Sequence, residues 1–163
     1  MPIHFGTDGW RAVISDTFTF HNLRLVVQAI ADAIRSDAWA SLRPNGSADD
    51  SLQRQHVVVG FDTRFLSDRY ATEVARVLAG NGYAVYLAQS DKAPYGGSAT
   101  SDMCRRVEVY LNDNEERGRG PNLMDYDQAK QQGLIQRFNP IPEYYDHLRT
   151  LIDFDVIADN SQR

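Results

Sequence analysis

A strand–helix–strand pattern between residues 56 and 88 most constrains how this chain can fold. The β-branched run from His56 to Phe61 is typical of a buried strand. A helical repeat of apolar residues begins after a predicted cap at Ser67 and stops at Gly80-Asn81-Gly82. The run from Tyr83 to Ala88 predicts the next strand. This spacing predicts a βαβ unit, with parallel strands joined by a right-handed crossover.

Other segments predict the elements around this unit. Trp10 to Ile14 is interpreted as a short strand, and Thr19 as the cap of a helix from about Phe20 to Arg35. A further helix is expected to be capped near Thr100, with Met103, Val107 and Leu111 on one face. Pro142 suits the first turn of a last helix. The predicted inner stripe of that helix is Ile141, Tyr145, Leu148 and Ile152.

Charge and cysteine content exclude several functional classes. The net charge of −5 disfavours non-specific nucleic-acid binding. Cys104 is the single cysteine, so the sequence predicts neither an internal disulfide nor a cysteine-rich metal site, which fits a reducing cytoplasm. The start Met1 to His4 carries no secretory signal, and no apolar run has the length that a membrane span needs. We therefore expect a cytoplasmic protein with no membrane partner.

The segment Phe5-Gly6-Thr7-Asp8-Gly9-Trp10-Arg11 is the first candidate site. Its two glycines and Asp-Gly step predict a tight turn. Thr7, Asp8 and the amides around Gly9 can meet an anion, and Arg11 adds a planar cation that suits phosphate. An exposed hairpin with a surface ion pair uses the same residue types, so residue chemistry alone leaves both interpretations open.

Asp62 and Arg64 form the second candidate, because they follow a predicted buried strand. Site residues of open α/β sheets gather beyond the carboxyl ends of strands. Asp62 can orient Arg64 near a phosphate-handling loop, or the two can form an ion pair that fixes the turn into the Ser67 helix. We favour the supporting role. Gly96-Gly97-Ser98 is interpreted as an ordinary turn, and the four histidines have no metal-ligand spacing.

Taken together, Gly6-Thr7-Asp8-Gly9-Trp10-Arg11 and Gly60-Phe61-Asp62-Thr63-Arg64 resemble the first domain of the α-D-phosphohexomutases, the phosphoglucomutase/phosphomannomutase family. The resemblance covers Ile3 to Ala88 and resumes near Ala93 or Tyr95. It implies an isomerase that interconverts 1-phospho and 6-phospho hexoses through a phosphoserine and a bisphosphate intermediate. It also implies Mg²⁺ held between the phosphoserine and three aspartates of a second domain.

The chain departs from this family pattern after Ala88. The family continues with a helix, a strand and a Thr-Ala-Ser-His-Asn-Pro loop carrying the phosphoserine, whereas this chain passes from Asp91-Lys92-Ala93-Pro94 to Tyr95-Gly96-Gly97. The Asp-Gly-Asp-Gly-Asp metal loop is missing as well. We therefore expect no catalytic residue, no metal ligand and no bound Mg²⁺ in this chain alone. Thr7, Asp8, Gly9 and Arg11 remain as the phosphate-facing loop, supported by Asp62 and Arg64.

The expected fold is a three-layer α/β/α domain with a small mixed sheet, like the family's first domain but incomplete. We assign residues 1–152 to this domain, with an internal deletion near 91–95, and residues 153–163 to a linker toward a missing second domain. The lost strand predicts an open sheet edge, hence a marginal fold or self-association. Three hypotheses stay open: a shortened phosphohexomutase first domain, a non-catalytic sugar-phosphate-binding or protein-interaction module, and a fragment without function.

Overall fold

The fold alternates helices and short strands, and the computed structural model describes residues 3–7, 9–40, 56–88, 99–152 and 156. The elements in this part of the chain follow in sequence order: α1 (Phe20–Ile34), α2 (Asp37–Ala40), β1 (His56–Val59), α3 (Ser67–Gly80), β2 (Ala84–Ala88), α4 (Ser101–Glu116), α5 (Tyr126–Gln131), β3 (Ile135–Phe138) and α6 (Ile141–Leu151). No helix within these ranges is long and apolar enough to cross a membrane.

A three-stranded sheet in the order β1-β2-β3 forms the centre of the domain. Both pairings are parallel, with Val57 opposite Val85 and Val85 opposite Ile135. The predicted βαβ unit is confirmed as β1-α3-β2. The expected mixed sheet is not found among these strands, since the antiparallel pairing in the described residues is one isolated bridge between Phe5 and Trp10.

Strand β3, which the sequence analysis did not predict, pairs with β2 on the side away from β1. Strand β2 therefore has a neighbour on each side, and the open edges among the described strands belong to β1 and β3. Ile135 of β3 is buried in the main core, together with Ala129 of α5. The described sheet therefore continues beyond β2 through a later segment of the same chain.

Helix α3 packs on one face of the sheet, α1 packs on α3, and α4 packs on α1. The main core lies between α1, α3 and that sheet face, where Tyr83, Val85 and Leu87 are almost fully buried. The Tyr83 hydroxyl donates to the carbonyl of Ala31 at 2.7 Å, so this buried phenol has the partner that burial demands.

The ends of the helices test the predicted capping signals. Thr19 and Thr100 cap α1 and α4 as predicted, each accepting a backbone N–H three residues later. Gly82 ends α3 in a left-handed conformation, at φ 82°, as the glycine signal predicts. The predicted Ser67 cap is wrong. Leu66, at φ 62°, occupies the N-cap of α3 without a capping side chain.

Two further predictions are corrected by the structure. Trp10 to Ile14 does not form a strand, because the chain turns back at once: the amides of Asp16, Thr17 and Phe18 all donate to the carbonyl of Val13. The predicted inner stripe of the last helix is not buried, since α6 contributes no buried residue. Asp8, Gly96-Gly97-Ser98, the proposed deletion at 91–95 and the start of the 153–163 linker lie outside the described residues.

Candidate functional site

The first candidate loop is a tight turn, as its glycines predict. The amide of Gly6 donates to the carbonyl of Gly9 at 2.7 Å, and Phe5 and Trp10 form the bridge that closes the turn. Gly9 has φ 146°, a conformation that side-chain-bearing residues rarely adopt. The amide of Phe5 donates to Glu108 Oε1 at 2.7 Å, which ties the turn to α4.

Aromatic packing fixes the position of this turn. The ring of Trp10 stacks on Phe18 at 4.7 Å, and Phe18 meets the edge of Tyr70 at 4.9 Å between ring centroids. The Tyr70 hydroxyl donates to the carbonyl of Phe18 at 3.3 Å. Because Tyr70 lies in the first turn of α3, the turn is anchored there, while Thr7 and Arg11 are exposed.

The second candidate loop follows β1 and is held by Asp62. Its carboxylate accepts two hydrogen bonds from Arg64, at 2.7 Å from Nε and at 3.1 Å from the backbone amide. The Asp62 amide donates in turn to Ser67 Oγ at 3.2 Å, which explains why the Ser67 hydroxyl does not cap α3. The Arg64 side chain is 83% exposed.

Both loops are attached to the same end of α3. The second loop runs directly into α3, and Tyr70, one turn later, carries the aromatic contacts that hold the first loop. Trp10, Phe61 and Leu66 all pack against the same core cluster. The structure therefore anchors the first loop, which carries Thr7 and Arg11, and the second loop, which carries Asp62 and Arg64, at the same end of α3.

Sequence reasoning missed the residues that hold the loops in place. Neither Phe18 nor Tyr70 was singled out as a site residue. The available signal was the aromatic spacing of Trp10, Phe18 and Phe20 near a short glycine turn, but the partner Tyr70 is distant in sequence. Such a contact depends on tertiary packing.

The described residues do not fit a Mg²⁺ site. They contain no group of three or more histidine, cysteine, aspartate or glutamate side chains placed to hold a metal ion. The Asp62 carboxylate, which belongs to the second candidate loop, is already engaged by Arg64.

The hydrogen bond from the Arg64 side chain holds the pKa of Asp62 at about 2. The folded state thus favours the ionised carboxylate, so the contact stabilises the loop above pH about 4 and is lost as the pH falls from about 4 toward 2. We expect Arg64→Ala to return the Asp62 midpoint toward its ordinary value. A carboxyl ¹³C titration by NMR measures this directly, and an unchanged midpoint in the variant would contradict the assignment.

Comparisons with known proteins show the family and the fold of the chain. A model of the family described as phosphoglucomutase/phosphomannomutase, alpha/beta/alpha domain I, matches residues 2–111. A crystal structure of a protein described as a phosphomannomutase from Thermus thermophilus has a TM-score of 0.67 at 21% identity. The match covers 95% of this chain and 37% of that chain, and at this identity it shows the fold alone. No curated protein matches the chain.

The range matched by the family model contains both candidate loops, the βαβ unit and most of α4. It exceeds half of the chain, and the structural likeness spans nearly all of it. The chain therefore belongs to the phosphoglucomutase/phosphomannomutase family through its alpha/beta/alpha domain I.

Proposed function

We propose that this chain is the phosphate-facing part of a phosphohexomutase, an isomerase that interconverts 1-phospho and 6-phospho hexoses through a phosphoserine and a bisphosphate intermediate. The observation that carries the proposal is the attachment of both candidate loops to the first turn of α3. Two arginine-bearing loops anchored on one rigid helix end form a suitable cradle for a phosphate group.

Each loop has a distinct task in this proposal. Thr7, Gly9 and Arg11 face the phosphate, with Asp8 between them in sequence, and the guanidinium of Arg11 supplies charge. Asp62 fixes the direction of Arg64 through its hydrogen bonds, so that the second loop keeps its shape when an anion binds. Since binding a doubly charged group relies on preorganised donors, rigidity of the loops matters as much as their charge.

The chain alone is proposed to be inactive. Phosphoryl transfer needs a nucleophile held in line with the phosphate, and the sequence between Ala88 and Thr100 contains no Thr-Ala-Ser-His-Asn-Pro segment. Positioning residues without the nucleophile supply binding but no turnover. Mg²⁺ would supply charge neutralisation in the complete enzyme when bound, and hexose phosphates are the proposed substrates there.

We expect the isolated chain to show no conversion of glucose 1-phosphate or mannose 1-phosphate in a coupled assay. We expect it to bind these compounds weakly, because the loops still present their cation. Arg11→Ala should weaken that binding about tenfold, as expected for the loss of one charged hydrogen-bonding group. Isothermal titration or ¹H–¹⁵N NMR measures the affinity.

Arg105→Ala is the matched control, because Arg105 is an exposed arginine that is ion-paired to Asp102 on α4. It should leave the affinity unchanged. Turnover by the purified chain that disappears in Arg11→Ala would refute the proposed inactivity. Equal affinities of Arg11→Ala and the unchanged chain would refute the role of the first loop.

A second candidate is a non-catalytic module that binds a sugar phosphate or a protein. The pairing of β3 with β2 favours this module, because the central strand then has a neighbour on each side within the chain itself. The two candidates separate when the chain is extended with the serine segment and the remaining domains of a relative. Restored turnover supports the phosphohexomutase, and binding without turnover supports the module.

A further inference from the structure

Glu108 of α4 holds the first candidate loop at the point where the chain enters the turn. Its carboxylate oxygen Oε1 accepts the backbone N–H of Phe5 at 2.7 Å, and the two residues are 103 positions apart in sequence. His4 Nδ1 lies 4.0 Å from the same oxygen, which is too far for a hydrogen bond. The Phe5 amide therefore engages this oxygen, and the contact exists only in the folded chain.

The two ends of the turn rest on different parts of the core. Trp10 packs against the main core and stacks on Phe18, which contacts the start of α3. Phe5, the bridge partner of Trp10, packs against a second buried cluster that α1 and α4 build together. The turn therefore has an anchor at each end, and the hydrogen bond to Glu108 belongs to the anchor on α4.

The hydrogen bond of Phe5 lies one residue before the hydrogen bond that closes the turn. The next amide, that of Gly6, donates to the carbonyl of Gly9 at 2.7 Å. Adjacent peptide planes are joined by only two soft dihedral angles, so fixing the Phe5 amide limits the directions open to the Gly6 amide. Glycine loses more conformational freedom on ordering than any other residue, so a turn with glycine at both ends needs firm flanks.

The charge of Glu108 opposes the effect of its hydrogen bond. Its side chain is 31% exposed, and a hydrogen bond to an ionised acceptor is stronger than one between neutral groups. As a charge, however, a carboxylate near an anion-binding loop repels the bound phosphate. The hydrogen bond and the charge of Glu108 therefore act on phosphate affinity in opposite directions.

We propose that Glu108 is a positioning residue of the first candidate loop, acting through the Phe5 amide to keep Thr7 and Arg11 in the arrangement that binds a sugar phosphate. This inference rests on the proposed function of that loop. Glu108 needs no contact with the phosphate. It raises the affinity by increasing the fraction of molecules whose loop already has the binding shape.

Isothermal titration with glucose 1-phosphate tests the proposal through the sign of the effect. Glu108→Ala should raise the dissociation constant about fivefold, because fewer molecules hold the binding shape. Loss of the negative charge alone would lower the dissociation constant, by a factor of about two. Glu108→Gln keeps an acceptor oxygen without the charge, so it should recover most of the affinity.

Glu116→Ala is the matched control, because it removes the same charge from an exposed position on the same helix. It should not weaken binding. Tighter binding by Glu108→Ala would show that Glu108 acts only as a charge and would overturn the proposal. Equal weakening in Glu108→Ala and Glu108→Gln would overturn it as well.

Hydrogen exchange of the Gly6 amide, followed by NMR, tests the hold on the loop without any ligand. Glu108→Ala should speed this exchange about tenfold, because the turn opens more often. The Val85 amide, which donates to the carbonyl of Leu134 at 2.7 Å, should exchange as before and so show that the fold is retained.

The two measurements separate this inference from the proposed function. Absence of glucose 1-phosphate binding by the unchanged chain refutes the proposed function. Faster Gly6 exchange in Glu108→Ala would still support the hold of Glu108 on the loop. Unaltered Gly6 exchange in that variant would overturn the positioning role, whether or not the chain binds the sugar phosphate.

Discussion

Replacing Gly80 by alanine is expected to lower the free energy of unfolding by about 3 kcal/mol. A Cβ atom at this position would lie 2.3 Å from the carbonyl oxygen of Asn122 and 2.8 Å from its carbonyl carbon. Both are backbone atoms, so no side-chain rotation can relieve the clash. Either α3 or the segment around Asn122 must move.

The sign of this effect separates packing from helix propensity. In an exposed helix, alanine in place of glycine stabilises by about 1 kcal/mol. Gly120→Ala is the control, because a Cβ there meets nothing within 4 Å. Urea unfolding followed by circular dichroism measures the free energy of unfolding of both variants. In thermal melting, the Tm of Gly80→Ala should be lower than that of the unchanged chain by about 6–12 °C. If Gly80→Ala were as stable as the unchanged chain, the close approach of Asn122 would be wrong.

The second large effect is expected for Asn81→Ala, again with a loss of about 3 kcal/mol in unfolding free energy. The Asn81 side-chain amide donates to Gln28 Oε1 at 2.9 Å and accepts from Gln28 Nε2 at 3.0 Å. It also accepts from Asn122 Nδ2 at 3.0 Å. Asn81 and Gln28 are 4% and 1% exposed, so truncation leaves buried polar groups without partners.

Asn112→Ala, at an exposed position on α4, should change the stability by less than about 0.5 kcal/mol. A double-mutant cycle with Gln28→Ala measures the coupling directly, and we expect the two losses to be far from additive. Additive effects would show that the amides of Asn81 and Gln28 do not depend on each other.

Both variants act on the contact between the end of α3 and the segment that leads to α5 and β3. Gly80 lies close to the backbone carbonyl of Asn122. The backbone amide of Asn122 donates to Gln28 Oε1 at 2.8 Å. This contact fixes where the chain turns before β3 joins β2. The same polar cluster therefore helps to position β3 beside β2 in the sheet.

Local signals predicted the elements that local interactions form. The Thr19 and Thr100 caps and the glycine end of α3 depend on residues a few positions apart, and the structure confirms them. The βαβ unit, which the pattern of one continuous stretch of the chain predicted, is confirmed as well. Strand β3 was missed, because its short run becomes a strand only through pairing with β2, about fifty residues earlier. Trp10 to Ile14 was read as a strand, although its backbone groups are satisfied by a turn.

In the candidate site, too, features that depend on neighbouring residues were predicted, and contacts between distant residues were not. Turn chemistry predicted the glycine turn ending at Arg11, and the short Asp62 to Arg64 spacing predicted the ion pair, since both depend on neighbouring residues. The anchoring of the first loop to α3 was decided by tertiary structure, through Trp10, Phe18 and Tyr70. The last helix forms as predicted, but its predicted inner stripe is not buried, because only tertiary packing decides whether another surface lies against a helix. Amino-acid order specifies which groups can interact locally, whereas contacts between distant segments form only when burial of the whole core compensates their entropy cost.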